Sequence, residues 1–341
     1  MTIILAILVL GFLIFIHELG HYLTARMFKV GINEFAIGMG PKLVSWTSKK
    51  TGIAYSIRLL PIGGFVSLMG EDEESDDVNA LNNKPVWQRM IIVSAGAFMN
   101  ALVGVLIVLG IVMSKDYLES NIIARFNDDT NLQEYGFQVN DEIIKIDGKR
   151  VYYGRDMSTE IIFSDADGVD VVVLRDGEKV LLEDVRFDRV NSDGVSLGKI
   201  GFKVYPEEKN ILNVLGYTVQ YSKATVKMIW KSLIYMVTGK VGINQMSGPI
   251  GVTSAMGEIA KKDMTGFFDM AAMLALNLGI FNILPLPALD GGRLLFMMYE
   301  LIFRKPVKRE LEGYVHFAGL CLLMLLTVII TYNDIIKLFK G

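Results

Sequence analysis

The stretch Leu13-Ile14-Phe15-Ile16-His17-Glu18-Leu19-Gly20-His21-Tyr22 decides how this chain is read. His17 and His21 are four residues apart, so on a helix their imidazoles stack on one face and can grip one zinc ion. Glu18 lies beside them, where a carboxylate can take a proton from the attacking water. The motif continues an apolar run: residues 1–16 carry no charged side chain. Ionisable groups inside a membrane span are costly and mark function by default. The bland alternative is a helix end whose histidines reach the headgroups. Zinc hydrolysis within a membrane is the stronger reading.

Composition narrows the rest. The 341 residues leave room for about two domains, and 52% hydrophobic content exceeds the soluble norm while 21% is charged. The charge must therefore be segregated along the chain. A net charge of −3 makes no case for nucleic acid as partner. Cys321 is the only cysteine, so neither a disulfide framework nor a cysteine zinc site is available. His17, His21 and His316 exhaust the histidines, and a third zinc ligand is expected to be a carboxylate. The N-terminus has no basic n-region and no small-residue cleavage site, which reads as a retained span.

Four stretches reach the roughly 20 apolar residues that cross a bilayer: about 1–25, 90–113, 268–289 and 313–333. Arg304, Lys305, Lys308 and Arg309 between the last two belong on the cytoplasmic side, as do Arg26, Lys29 and Arg89. Both termini and residues 114–269 then lie outside, and the histidines lie towards the cytoplasmic end of the first span. The chain reads as a polytopic α-helical membrane protein in contact with the lipid bilayer.

Residues 30–69 alternate as strands rather than as a plain loop. Ile53, Tyr55, Ile57 and Leu59 are followed by a Pro61-Ile62-Gly63-Gly64 turn and by Phe65-Val66-Ser67-Leu68. Gly38-Met39-Gly40-Pro41 marks an earlier turn. Such a membrane-associated β-hairpin could dip into the bilayer or pair with an extended peptide, and a mere connection between spans is the alternative. Residues 70–88 open with an acidic linker. Gly96, Asn100 and Gly104, at four-residue steps in the second span, read by default as a helix-packing stripe, with Asn100 touching the catalytic region as the open alternative. Residues 120–205 form one β-rich module, with turns at Asp147-Gly148 and Asp176-Gly177. In 207–265, Lys223, Lys227 and Lys231 line one helical face, which suggests a helix lying on the membrane surface. The turn Ser247-Gly248-Pro249-Ile250-Gly251 is expected to lead into the third span.

The third span ends in Asn282-Ile283-Leu284-Pro285-Leu286-Pro287-Ala288-Leu289-Asp290-Gly291-Gly292. Two prolines break the helix, and Asp290 follows at the depth of the histidines. Spans one and three run in the same direction, so their ends can meet in a two-histidine, one-carboxylate zinc site. Asn282, Gly63, Gly64 and Phe65 are the candidate substrate-binding residues.

These two motifs resemble the signatures of the site-2 protease family of intramembrane metalloproteases. The Pro-Ile-Gly-Gly-Phe hairpin and Gln245-Met246-Ser247-Gly248-Pro249-Ile250-Gly251 extend the likeness over nearly the whole chain. The run from Tyr135 to Gly148 resembles a PDZ-domain core, and the branch that the chain is most similar to is the bacterial regulator-of-sigma-E-protease-like one, in its single-PDZ form. Ala97 departs from the proline that often follows glycine in the second span. The resemblance implies one zinc ion per chain and a bacterial cytoplasmic membrane setting. It also implies cleavage of already trimmed single-span proteins, such as anti-sigma factors and signal-peptide remnants, with the outer PDZ-like module as a size filter. Three alternatives remain open: a membrane zinc protease of another class using Glu258, Glu300 or Glu312, a non-catalytic PDZ-bearing adaptor, and a transporter.

Overall fold

A computed structural model of the chain describes residues 2–71, 73, 75–192, 195–239, 242 and 247–340. Asp72 and Glu74 of the acidic linker, and Gln245 and Met246 of the later motif, lie outside the described residues. The chain divides into two units, residues 1–104 with 247–341 and residues 105–246.

The first unit holds helix α1 (Thr2–Met27) and strands β1 (Ile32–Thr47) and β2 (Ala54–Leu68). It also holds most of α2 (Val86–Ser114), which runs on into the second unit. Among the described residues four helices are long and apolar enough to cross a membrane, over Ile4–Met27, Val86–Ser114, Met264–Ile283 and Arg309–Lys337. No acidic or basic residue interrupts α1 before Glu18, and none lies between Arg89 and Ser114 in α2, so these helices are uniformly apolar around their circumference.

Strands β1 and β2 make a folded ribbon. Glu34 to Ile37 pair with Ser67 to Gly64, and the same four residues pair again with Ala54 to Ile57. Val44 to Thr47 take Ile57 to Ala54 on their other side. The ladders run in the order 64–67, 34–37, 54–57, 44–47, which leaves 64–67 as an edge. Positive φ at Gly38, Gly40 and Gly63 turns the chain where the ladders shift register. Glu34 ties the ribbon together, accepting from Ser56 Oγ at 2.6 Å and from Lys42 and Arg58 at 3.0 Å. Burial raises its pKa, but those three donors outweigh burial and hold the carboxyl at about 2.

The remaining helices of this unit are α5 (Pro249–Lys262), α6 (Met264–Ile283), α7 (Asp290–Phe303) and α8 (Arg309–Lys340). Two expectations change here. The Ser247–Gly251 turn does not enter the third span directly, because Pro249 is pre-set for a first helical turn and starts α5. The N-terminal end of α5 is seated on α8, where the buried Asp334 carboxylate accepts from Gly248 N at 3.0 Å and Gly251 N at 2.8 Å. The third helix stops at Ile283 rather than near 289, since Pro285 and Pro287 cannot donate to a helical ladder.

The second unit is a six-stranded sheet of β3 (Leu118–Phe126), β4 (Glu142–Ile146), β5 (Lys149–Arg150), β6 (Val169–Arg175), β7 (Glu178–Val185) and β10 (Phe202–Glu207). Its order is β10-β3-β4-β6-β7, with β5 paired to β4. A separate hairpin joins β8 (Arg189–Ser192) and β9 (Val195–Gly198). Asp147-Gly148 and Asp176-Gly177, all at positive φ, make the turns β4–β5 and β6–β7. Alternate residues Val169, Val171 and Val173 enter a core with Ile123, Ile143 and Phe137. Helix α3 (Gly154–Ile162) covers the sheet and receives helix α4 (Ile211–Val237).

That docking corrects the reading of the lysine face. Lys227 pairs with Glu160 of α3, and Lys231 donates to Phe163 O. Burial, with Lys231 and Lys149 nearby, pushes the Lys227 ammonium down to about 8. Two of the three lysines therefore serve the β-rich module instead of headgroups.

Candidate active site

Helical spacing brings His17 and His21 together on α1, with Nε2 atoms 3.2 Å apart. The break after α6 carries the third group. Its residues fold back on the start of α7, where Leu289 N donates to Leu286 O and Gly292 N to Leu289 O. A Cβ at Gly291 would stand 2.0 Å from Leu284 O, so only glycine fits the fold-back. Asp290 Oδ2 arrives 3.1 Å from His17 Nε2 and 3.4 Å from His21 Nε2.

The chemistry of this donor set fits a metal. His21 Nδ1 is 2.8 Å from Ile92 O, which only an N–H can satisfy, so the Nε2 lone pair faces Asp290. Asp290 Oδ2 is buried without a hydrogen-bond partner. Three acceptor atoms turned towards one another need a cation between them. Ligands about 2.0–2.1 Å from a tetrahedral zinc stand roughly 3.3–3.4 Å apart, close to the separations found. Among the described residues these three side chains are the one group of histidine, cysteine or carboxylate donors gathered this closely.

Helix α2 supplies support that local sequence does not reveal. A Cβ at Gly20 would lie 2.4 Å from Ala95 O, and one at Gly96 would lie 2.4 Å from His21 Nε2 and 2.7 Å from His17 Cε1. The two glycines let α1 and α2 cross at the imidazoles. Asn100 is buried, with its amide nitrogen 3.4 Å from His17 Nδ1 and its Oδ1 unpartnered. Exchanging the amide's N and O lets Oδ1 accept from His17 Nδ1–H, which leaves Nε2 as the nitrogen with a lone pair towards Asp290. The third member of the stripe, Gly104, faces Leu276 of α6 instead. The four-residue step was the only available signal, and it does not say which helix the stripe meets.

Glu18 connects the centre to the ribbon. Its Oε2 accepts from Val66 N at 3.0 Å, on the edge ladder 64–67. Two residues on, Leu68 N donates to Glu71 Oε2 at 3.2 Å, and Glu71 also pairs with Arg293. N–H groups two apart leave a strand on the same side, so carboxylates cap this open edge. Gly64 lies beside Glu18, with its Cβ position 3.8 Å from Glu18 Cγ, and Phe65 lines the cavity. Gly63 faces the Met39 side chain, and Asn282, half-buried in the last turn of α6, is not among the cavity residues. The cavity measures about 400 Å³ and is walled by His17, Glu18, His21, Val66, Asp290 and His316, among others.

A family model described as peptidase family M50 matches residues 5–326. The chain belongs to peptidase family M50. It is an intramembrane zinc metalloprotease of the site-2 protease type. A Fusobacterium nucleatum protein, provisionally named a zinc metalloprotease, is 33% identical over 355 aligned positions that take in the whole of both chains. The regulator of sigma-W protease RasP of Bacillus subtilis is 31% identical, with 99% of each chain covered. The zinc metalloprotease RasP of Oceanobacillus iheyensis is 30% identical over the same shares.

Proposed function

We propose that His17, His21 and Asp290 hold the zinc ion of this M50 protease and that Glu18 is its general base. The observation that carries the reading is the convergence of three acceptor atoms within 3.4 Å, beside a carboxylate tethered to a strand edge. Zinc, when bound, supplies Lewis-acid polarisation of the scissile carbonyl and lowers the pKa of water. Glu18 takes the proton from water as its oxygen bonds to the carbonyl carbon, and returns it to the amine nitrogen as the C–N bond breaks. The Val66 N–H fixes one carboxylate oxygen and keeps the other for that proton.

A helix hides its peptide bonds, so the substrate has to be locally extended before water can attack. Glu18 takes the Val66 N–H, and the backbone groups left on the edge at 64–67 offer pairing that is indifferent to side chains. Gly64 leaves room for a strand beside Glu18, and Phe65 bounds its path. Asn282 is retained as a contact for substrate entering along α6. The substrates are single-span membrane proteins already trimmed by another protease, with anti-sigma factors and signal-peptide remnants as the expected kinds. The name of the Bacillus subtilis relative supports the first of these. The module at 120–205 acts as a PDZ-like size filter on the outer side of a bacterial cytoplasmic membrane, with the active site towards the cytoplasm.

The test is metal content measured beside cleavage. Glu18→Gln keeps one zinc per chain and loses peptide hydrolysis, while His21→Ala loses both. Full activity in Glu18→Gln would overturn the mechanism.

A further inference from the structure

His316 is the only histidine, lysine, arginine or carboxylate of α8 between Glu312 and Asp334, and its placement goes beyond packing. Its Nδ1 accepts from the backbone N–H of Ala288 at 3.0 Å. Ala288 lies two residues before Asp290 and has φ +71°, a left-handed conformation that is unfavourable for any residue with a Cβ. Gly319, one turn further on α8, lets the helix close on Pro287, since a Cβ there would stand 2.3 Å from Pro287 Cβ. The ring is thus clamped against the loop that delivers Asp290.

The clamp also decides the tautomer. A ring nitrogen that accepts from an amide carries no proton, so the neutral imidazole bears its proton on Nε2. That Nε2 is buried and has no hydrogen-bond partner. The nearest carboxylate oxygen, Glu312 Oε1, is 4.0 Å away, beyond hydrogen-bond reach. The ring lines the wall shared by the cavity of Glu18 and Asp290 and a neighbouring cavity of about 240 Å³ that holds Arg89, Arg293 and Glu300. A buried donor without an acceptor is destabilising, and a bound peptide that displaces the side chains closing Nε2 off from the cavity would supply the missing acceptor.

We infer that His316 is a substrate-binding residue: its Nε2–H donates to a main-chain carbonyl of the extended peptide, while Nδ1 holds the Ala288 turn. This rests on the proposed reading of the site. The acceptor sought is a backbone carbonyl because an unwound apolar segment brings no other acceptor in quantity. His316 and the ribbon residues Phe65 and Val66 line the same cavity, so His316 would grip a peptide that also pairs with the backbone groups left on the edge at 64–67.

Two near-isosteres separate the two nitrogens. In His316→Asn the side-chain oxygen can replace Nδ1 as acceptor, but nothing reaches the position of Nε2. In His316→Gln the longer amide can place an N–H near Nε2 and gives up the Ala288 contact. The probe is a labelled single-span peptide of about 20 leucine and alanine residues with a central Gly-Ser pair and lysine flanks. Its binding is measured by anisotropy to full-length, zinc-loaded Glu18→Gln protein in nanodiscs. Adding His316→Asn is expected to weaken binding by about fivefold, in line with loss of one hydrogen bond, while zinc stays at one per chain. Adding His316→Gln is expected to bind within about twofold of the Glu18→Gln parent, with a lower melting temperature than His316→Asn. In the active protein, His316→Asn raises KM with kcat little changed. Parent-like binding and KM in His316→Asn would overturn the inference and leave His316 as a support for the loop. Loss of zinc in His316→Asn would overturn it as well, by making His316 part of the metal centre. Cleavage by Glu18→Gln itself, or no peptide binding by the Glu18→Gln protein before any change at His316, would instead bring down the underlying reading.

Discussion

At the scale of single residues, the supports of the proposed metal centre are as demanding as its proposed ligands. Gly96 is the sharpest case, because a methyl group there would stand 2.4 Å from the His21 nitrogen that faces Asp290. Gly96→Ala is therefore expected to lose zinc and activity together, while the helical circular-dichroism signal persists. A zinc-replete, active Gly96→Ala protein would mean that α2 can back away from α1 at small cost. His17, Glu18, His21 and Asp290 were legible as a set because their chemistry is written locally, in an i, i+4 pair and a proline-broken span end. Gly96 was not, and Asn100 was readable only as an open alternative to packing. A stripe of small residues on an apolar helix fits many neighbours, and only the crossing of α1 with α2 turns two of its three members towards the imidazoles.

Among elements, the β1–β2 ribbon carries a prediction about pH. Glu34 is held at about 2 against an ordinary value of 4.5. A depressed carboxylate contributes stability in full above the unfolded value, and that contribution fades as pH falls from about 4.5 through 2. Amide protection factors at residues 54–58, followed by hydrogen exchange, should hold from pH 7 to 5 and drop below about pH 4. Glu34→Gln should show the lowered protection already at pH 7. Protection indifferent to both pH and substitution would show that Ser56, Lys42 and Arg58 do not depend on the charge. Alternation of apolar residues made the ribbon readable as strands, but its double ladder was not readable. Which residues 34–37 pair with depends on contacts that local period cannot encode. The lysine face of α4 failed for a similar reason: a basic stripe suits lipid headgroups and a buried glutamate equally well until α3 is placed beside it.

For the whole molecule, the prediction concerns sidedness. In a Cys321→Ser background, a cysteine at Asp167 should label from outside intact cells and one at Lys305 should be protected. The opposite pattern would invert the topology proposed from the basic residues. Four apolar helices, an amphiphilic split between membrane and β-rich parts, and the residues proposed as zinc donors were picked out by the sequence alone. Each depends on composition or on spacings of a few residues, where one-dimensional order and three-dimensional neighbourhood coincide. Only the tertiary structure decided that Glu18 is tied to Val66, that Asp290 Oδ2 meets both imidazoles, and that His316 grips Ala288 from span four. Those pairs are separated by 28 to 273 positions, the first figure being 316 minus 288 and the second 290 minus 17. Bringing such groups together is the work of close-packed helices and a folded ribbon, and no short-range pattern carries that information.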